Sequence, residues 1–268
     1  IHDRHSTRGM PRGFLTHIQT ITFELPGNDE HLRQVSSLIV NADGTELLAT
    51  SRTGGFLEMT LSPTQDSNFN MTSAQFFPIT GAQEDEGYAE GLTINGVYEG
   101  NGEGELYVSF GETGEVVKFM NGITSKAEDI SRLQEVGECP TDVQWKTILK
   151  LNSTDGNGLL LLACKESVSE SLLSPSPHEG PQAHDFDFSG WAYDETSGEV
   201  KPFYVESFGN SSLVGMEQLP GGDIIAVFSR VSISRGGASH MTLAYITEGS
   251  LHQAISTGSN IRTRHETM

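Results

Sequence analysis

The feature that most constrains the fold is a unit of three apolar strands, separated by glycine-containing polar turns, that recurs along the chain. The first copy reads VSSLIV-NADGTE-LLATSR-TGG-FLEMTL over residues 35–61, and the second occupies residues 89–120. A third copy begins PTDVQWKTILKL and resumes with GWAYD after an insertion, and the fourth occupies residues 213–246. Equivalent apolar positions are 54, 51 and 73 residues apart; they are Leu38, Leu92, Val143 and Met216. A period near fifty with three or four strands per unit is typical of a β-propeller.

The turns between these strands have the residues that tight hairpins require. Asp-Gly pairs in NADG and STDGNG supply a positive φ, and PGGD and TGGF use glycine alone. We therefore predict an all-β chain, with a flexible N-terminus over residues 1–12, a propeller domain over 13–258 and a C-terminal tail over 259–268. Four blades are clear, and GFLTHIQTITFEL and GSLHQAIST are predicted as additional strands at the two ends. The propeller is then either small and irregular, or not closed within this chain.

The charge balance excludes one class of partner. The formal net charge is −20 and the isoelectric point is about 4.7, so the chain would repel the phosphates of a nucleic acid. A cationic ligand, a divalent metal ion or simple solubility remain as explanations. No apolar run is long enough for a transmembrane helix. The chain begins with Ile1 and shows no signal-like stretch, so we expect a processed product or a fragment.

Sequons and cysteines bear on where the protein resides. Three N-x-S/T triplets begin at Asn70, Asn152 and Asn210, each in a polar stretch, and are predicted glycosylation sites. They favour a secreted or extracytoplasmic protein. Cys139 precedes one predicted strand and Cys164 ends the next, so the two either form a disulfide or remain as buried thiols.

The order of the repeated phrases resembles the phytase-like β-propeller family, which is described by an esterase-like activity of phytase. The resemblance covers residues 13 to 250 and rests on SSLIVNADGTELLATSRTGGFLEMTL, YAEGLTI with LYVSFGETGEVVKF, SGWAYDETSGEVKPFYV and LVGMEQLPGGDIIAVFSR. It implies a six-bladed propeller that is usually exported. The family's last blade, with a further Glu-Gly-Ile phrase, does not occur in this sequence, and the third copy carries TDV where a Glu-bearing phrase is expected.

Three carboxylates are candidates for a metal site. The first strand of each blade lines the channel of a propeller, so Glu90, Asp142 and Glu217 are predicted to converge from three blades. Converging carboxylates repel one another unless a cation bridges them, and Ca²⁺ with its oxygen ligands is the expected cofactor. The alternative is that each carboxylate binds backbone N–H groups or pairs with an arginine such as Arg52 or Arg230.

These residues support two functional hypotheses. The first is a metal-dependent hydrolase of phosphate or carboxylic esters at the channel mouth, with Glu90, Asp142 and Arg230 as catalytic residues and Arg52 binding the substrate anion. A lactonase-type propeller is a variant with a less charged substrate. The second is a non-catalytic secreted propeller that binds a partner protein through its loops. The sequence has no G-x-S-x-G nucleophile motif, P-loop or dinucleotide fingerprint.

Overall fold

The structure, a computed structural model, describes residues 7–10, 13–16, 35–65, 68–81, 88–111, 113–129, 139, 146–152, 158–165, 187–206, 211–232, 238–261 and 263–267. Within these ranges the chain is mostly β-strand with one α-helix, which confirms the all-β prediction. A two-stranded hairpin of β1 (Thr7–Met10) and β2 (Gly13–Thr16) precedes four larger sheets. Strand β1 therefore lies within the segment that was predicted to be a flexible N-terminus.

Sheet 1 is the first repeat copy, folded as an antiparallel meander of four strands. Its first turn is NADG, where Gly44 has a φ of 72°. The side-chain oxygen of Asn41 accepts hydrogen bonds from the backbone N–H groups of Thr45 and Glu46, which closes the turn. The predicted Asp-Gly hairpin is thus confirmed. The strands of sheet 1 are β3 (Val35–Val40), β4 (Glu46–Ser51), β5 (Gly55–Pro63) and β6 (Phe69–Pro78).

Sheet 2 repeats this meander with the second copy. The segment YEGNGEGE connects its first two strands, and the backbone N–H of Gly102 donates to the Tyr98 hydroxyl at 3.0 Å, which holds the loop against the sheet. Asn101 has a φ of 56°, a conformation that asparagine tolerates better than most residues. The strands are β7 (Ala89–Asn95), β8 (Glu105–Phe110), β9 (Val116–Phe119) and β10 (Glu128–Asp129).

Sheet 3 is the third copy with an added strand from the C-terminal region. Cys139 and Cys164 form a disulfide with a Cα–Cα distance of 5.7 Å, so the structure decides between the two alternatives that the sequence left open. The last strand pairs in parallel with its neighbour, unlike the others. The strands, in sheet order, are β11 (Lys146–Lys150), β12 (Leu160–Cys164), β13 (Phe188–Tyr193), β14 (Val200–Val205) and β18 (Asn260–Ile261).

Sheet 4 is the fourth copy, and it also gains a strand from the C-terminal region. In sheet order it contains β15 (Ser212–Gln218), β16 (Ile224–Ser232), β17 (Ala238–Ile246) and β19 (Arg264–Thr267). Residues 259–268 were predicted to form a tail, but they contribute β18 to sheet 3 and β19 to sheet 4. Both segments are short, so their strand state depends on pairing with an existing sheet.

The segment GSLHQAIST was predicted to be a strand, and this prediction was wrong. It belongs to helix α1 (Glu248–Thr257), whose N-cap Thr247 accepts a hydrogen bond from the backbone N–H of Ser250 at 3.2 Å. The buried residues of the helix are Leu251, Ala254 and Ile255, spaced three and one residues apart. That spacing places them on one helical face, which packs into the core between sheets 3 and 4.

Consecutive sheets pack face to face through separate apolar clusters. Phe56 of sheet 1 meets Phe119 of sheet 2 edge to face, with ring centroids 5.2 Å apart. Leu162 of sheet 3 packs with Tyr107 of sheet 2. Sheets 3 and 4 share the largest cluster. The first strands β3, β7, β11 and β15 contact one another in that order, so they form a row from which the four sheets extend.

Three of the four first strands carry a β-bulge at the same place. The pairing register shifts at Ser36 in β3, at Glu90 in β7 and at Val214 in β15. Leu38, Leu92 and Met216 each follow the bulge by two residues, which confirms their predicted equivalence; Val143 lies outside the described residues. A bulge turns its extra residue away from the regular ladder, and it therefore decides where the Glu90 side chain points.

Candidate functional site

In the described part of the chain, Glu90 is a buried carboxylate that contacts two cationic side chains. It is 1 % exposed, and each of its carboxylate oxygens faces a different neighbouring sheet. The Lys165 ammonium donates a hydrogen bond to Oε2 at 2.8 Å, and the Arg52 Nε lies 2.8 Å from Oε1. Among the described residues no donor meets Oε1 with hydrogen-bond geometry, so the Arg52 contact is an ion pair rather than an aligned hydrogen bond. We call these three residues the Glu90 cluster.

The fold builds this cluster from three adjacent sheets. Glu90 is the bulge residue of β7 in sheet 2, Arg52 directly follows β4 in sheet 1, and Lys165 directly follows β12 in sheet 3. Ser36, the bulge residue of β3, donates its hydroxyl to the backbone carbonyl of Ala89 at 2.6 Å. This bond fixes the peptide just before Glu90. The bulges of two neighbouring first strands therefore work together to hold the carboxylate between its cations.

The formal charge of the Glu90 cluster is +1 because it contains two cations and one carboxylate. Lys165 is almost buried, with 9 % of its side chain exposed, whereas 38 % of the Arg52 side chain is exposed. Arg52 therefore carries the charge of the cluster to the solvent.

The arrangement does not fit the predicted calcium site at Glu90. Calcium binds through carboxylate, carbonyl and water oxygens, and both carboxylate oxygens of Glu90 already contact cations. A calcium ion there would lie next to the Arg52 guanidinium and the Lys165 ammonium, which would repel it. In the described ranges, no group of three or more His, Cys, Asp or Glu side chains is close enough to hold a metal ion. The partners of the Glu90 carboxylate are these two cations.

Glu217 does not join Glu90. It is the sixth residue of β15, three positions beyond the bulge residue Val214, whereas Glu90 is itself a bulge residue. Three residues of extended strand span about 10 Å, so the two carboxylates occupy different levels of the first strands. The Glu217 side chain is exposed, and desolvation by the neighbouring protein still raises its pKa above the ordinary value of 4.5. Asp142, the third predicted ligand, lies outside the described residues.

Arg230 resembles Arg52 in its sequence context, LLATSR against IAVFSR, but Arg52 directly follows β4 whereas Arg230 lies within β16. Relative to the bulge in the neighbouring first strand, the two arginines nevertheless differ in position by one residue. Ser51 and Phe228 both pair with the residue just before the bulge, so Ser229 is the equivalent of Arg52. A shift of one residue reverses the face of a strand. Arg230 is exposed and lies opposite His240 in β17, away from the position that Arg52 occupies in sheet 1.

Lys165 was not predicted as a site residue, although its position in the repeat could have indicated it. The second strand of sheet 3 ends in LLLACK, so a cation stands at the same point of the repeat as Arg52 in LLATSR. The sequence could not show that Lys165 is buried, because it lies at the start of the long insertion. The disulfide of the adjacent Cys164 anchors this end of β12.

A second polar cluster joins sheets 2 and 3 at the opposite ends of their strands. The Tyr107 hydroxyl lies within hydrogen-bond distance of Glu105 and, at 2.6 Å, of Glu195. The Lys118 ammonium bridges the two carboxylates at 2.9 and 3.0 Å, and Lys150, which is 4 % exposed, donates to Glu195. Both lysines also lie over the Tyr107 ring, about 5 Å from its centroid. We call these five residues the Tyr107 cluster.

Mutual stabilisation of charges sets the protonation states in the Tyr107 cluster. Burial tends to raise the pKa of Glu195, but hydrogen bonds from Lys150, Tyr107 and Lys118 outweigh it and lower the pKa below 4.5. Burial, together with the nearby carboxylates, raises the pKa of Tyr107 far above its ordinary value. Burial tends to lower the pKa of Lys118, but its two carboxylate partners raise it overall. The two carboxylates and two ammonium groups balance formally, which suits a structural link between sheets.

The predicted glycosylation sites differ in their surroundings. Asn70 is exposed on β6. Asn152 is also exposed, but its side-chain oxygen accepts a hydrogen bond from the backbone N–H of Gly96 and its own backbone N–H donates to Gln218. Asn152 therefore links sheets 2, 3 and 4. Asn210 lies outside the described residues, and glycosylation of all three asparagines stays a prediction.

Comparison with known proteins identifies no family for this chain. No model of a known protein family matches the sequence, and no curated protein matches it. In the part of the chain that the structure describes, no helix is both long and apolar enough to cross a membrane.

Proposed function

We propose that this chain is a phytase-like β-propeller that binds an anionic ester, a phosphate or carboxylic ester, at the Glu90 cluster. The observation that carries this proposal is the convergence of Arg52 and Lys165 from two sheets on one buried carboxylate of the sheet between them. Paired cations held by a buried carboxylate form a preorganised site for an anion. Hydrolysis of the bound ester is what the resemblance to the phytase-like family implies.

Three features support a propeller. Four sheets, antiparallel except for the added strand β18, follow one another along the chain, and their first strands form a row. Each sheet packs its face on the next one through an apolar cluster. The bulges at Ser36, Glu90 and Val214 recur at the same level of three first strands, as expected if these strands surround one channel.

Each member of the Glu90 cluster has a distinct role in this site. Arg52 reaches the solvent and would make the direct contact with the ester anion through its guanidinium. Lys165 would add positive charge from behind and stabilise the negative charge that develops on an ester oxygen during hydrolysis. Glu90 acts as a positioning residue because both of its oxygens are engaged by these cations. The base that activates water would then come from another residue.

Replacing Arg52 by Gln tests anion binding at this site. We expect calorimetric titration with inorganic phosphate to show saturable binding to the wild type and at least about tenfold weaker binding to Arg52→Gln, since a charge-assisted contact contributes about 1.5–3 kcal/mol. Lys201→Gln removes the same charge from an exposed side chain of β14 and should bind like the wild type. Equal affinities of all three proteins would contradict the assignment of the site.

Activity assays on the same three proteins distinguish a hydrolase from a non-catalytic binding protein. Hydrolysis of p-nitrophenyl phosphate or p-nitrophenyl acetate that falls with Arg52→Gln and not with Lys201→Gln would support catalysis at the Glu90 cluster. Phosphate binding without hydrolysis of either ester would favour the non-catalytic alternative. Hydrolysis of lactones in preference to both esters would favour the lactonase-type variant.

Calcium binding is tested by titrating Ca²⁺ into chelator-treated protein. We expect the wild type and Glu90→Gln to give the same heat signal, because Arg52 and Lys165 occupy the carboxylate of Glu90. Saturable binding that Glu90→Gln abolishes would contradict this expectation. That result would support the hypothesis of a calcium-dependent hydrolase.

A location outside the cytoplasm is also part of the proposal. The disulfide between Cys139 and Cys164 supports it, because disulfides persist mainly in oxidising compartments. The exposure of Asn70 on an outer strand is compatible with a glycan there.

A further inference from the structure

The two cations of the Glu90 cluster lie on backbone that is held in different ways. Arg52 belongs to the tight turn between β4 and β5, which is closed by a hydrogen bond from the backbone N–H of Gly54 to the Ser51 carbonyl at 3.0 Å. Strand β5 begins at Gly55, so the chain returns to the sheet at once. A local hairpin therefore determines the backbone position of Arg52.

The strand that leads to Lys165 is not followed by a short turn of this kind. Strand β12 ends at Cys164, and β13, its next neighbour in sheet 3, begins only at Phe188. The corresponding connections in sheets 2 and 4 are short: β8 ends at Phe110 and β9 begins at Val116, and β16 ends at Ser232 and β17 begins at Ala238. A strand end without a tight turn is where a ladder of hydrogen bonds opens most easily.

The disulfide lies at the end of β12, where the other sheets have their turn. Cys164 is the last residue of β12 and is fully buried, and its bond to Cys139 joins two Cα atoms 5.7 Å apart. Lys165 follows directly. Its carbonyl accepts a hydrogen bond from the backbone N–H of Leu213 in β15 at 2.9 Å, and its ammonium lies 2.8 Å from Oε2 of Glu90. A covalent link at Cys164 limits the opening of the strand end on which both contacts depend.

We propose that the Cys139–Cys164 disulfide positions Lys165 in the Glu90 cluster, so that the affinity of the cluster for an anion depends on the redox state of this bond. The inference rests on the anion site proposed above. A dithiol opens the bond by supplying two electrons and two protons; two cysteine thiols form, and the dithiol closes to its own disulfide. The end of β12 then loses its cross-link, Lys165 is held less closely to Glu90, and the positive charge at the site decreases.

Calorimetric titration with inorganic phosphate tests the dependence on the disulfide. It compares oxidised wild type, wild type reduced with dithiothreitol, and Cys139→Ser, which removes the bond but leaves the buried Cys164 in β12. We expect both open forms to bind at least about fivefold more weakly, the lower range of coupling between two sites, and reoxidation of the wild type to restore the affinity. Equal affinities of the oxidised and open forms would overturn the inference and leave the anion site intact. Failure of the oxidised wild type to bind phosphate would instead contradict the anion site.

A double-mutant cycle shows whether the disulfide acts through Lys165. Lys165→Gln should already bind phosphate weakly, and Lys165→Gln/Cys139→Ser should match it within about twofold. Lys201→Gln removes an exposed lysine, so adding Cys139→Ser to it should give the full loss of about fivefold. If Cys139→Ser weakens binding equally in both backgrounds, the disulfide acts on another part of the site and the inference fails.

Hydrogen exchange tests the position of Lys165 without any ligand. The amide of Leu213 donates to the Lys165 carbonyl, so it should exchange about tenfold faster or more when the disulfide is opened, whereas the Gly54 amide in the turn of Arg52 should keep its rate. An unprotected Leu213 amide in the oxidised wild type, or one that exchanges equally in both forms, would overturn the inference. Equal acceleration of Gly54 would indicate general unfolding and would overturn it as well.

Discussion

Replacing Glu90 by Gln should lower the free energy of unfolding by about 3–5 kcal/mol, the usual cost of removing one partner of a buried ion pair. The substitution keeps the size of the side chain but leaves the Lys165 ammonium, with 9 % of its side chain exposed, next to a neutral amide. It also removes the carboxylate that holds Arg52 at 2.8 Å. Chemical denaturation of the two proteins measures the difference.

Two further variants identify the cause of that loss. Glu99→Gln removes a carboxylate from an exposed position in the loop between β7 and β8 and should change the stability by no more than about 0.5 kcal/mol. The double variant Glu90→Gln/Lys165→Met also removes the buried cation, so it should be more stable than Glu90→Gln alone. If the double variant is less stable than Glu90→Gln, an unpaired Lys165 is not the reason for the loss.

Replacing Glu195 by Gln should cost about 2–4 kcal/mol at neutral pH and much less in acid. Glu195 accepts hydrogen bonds from Lys118 at 3.0 Å and from Tyr107 at 2.6 Å, and it is the carboxylate partner of the nearly buried Lys150. Its loss removes the carboxylate that directly contacts the Lys150 ammonium between sheets 2 and 3. The free energy of unfolding of both proteins, measured as a function of pH, tests the size and the pH dependence together.

The direction of the pH dependence follows from the lowered pKa of Glu195. Hydrogen bonds from its partners lower the pKa in the folded protein below the 4.5 expected of the unfolded chain. The charged carboxylate therefore stabilises the fold fully above about pH 4.5, and this stabilisation is lost as the pH falls through the folded-state pKa. The difference between the wild type and Glu195→Gln should shrink over the same range.

A nearby carboxylate provides the matched control for this experiment. Glu199 pairs with Lys201 at 3.1 Å, but both side chains are about half exposed. Exposed ion pairs contribute little, so Glu199→Gln should change the stability by less than about 1 kcal/mol at any pH. An equal loss in Glu199→Gln and Glu195→Gln would mean that burial in the Tyr107 cluster does not set the effect.

The local pattern of the sequence predicted the strands well and the segments near the C-terminus poorly. Alternating apolar residues and Asp-Gly turns specify strands such as β4 and β5 because each hairpin is determined by neighbours in sequence. The helix α1 was predicted as a strand because its three buried residues also suit an apolar strand, and its Thr247 cap was overlooked. Strands β18 and β19 could not be predicted, since they form only by adding to sheets built far upstream.

The sequence by itself determined the repeat, the all-β class and the unusual position of Glu90 at the start of a buried strand. Only the tertiary structure decided what Glu90 meets. The bulge in β7 turns its side chain between two other sheets, and the partners Arg52 and Lys165 are separated from it by 38 and 75 residues. A one-residue difference in register separates Arg52 from Arg230, although their sequence contexts look alike. Contacts between sheets depend on register and packing over long distances, and no local pattern of residues records them.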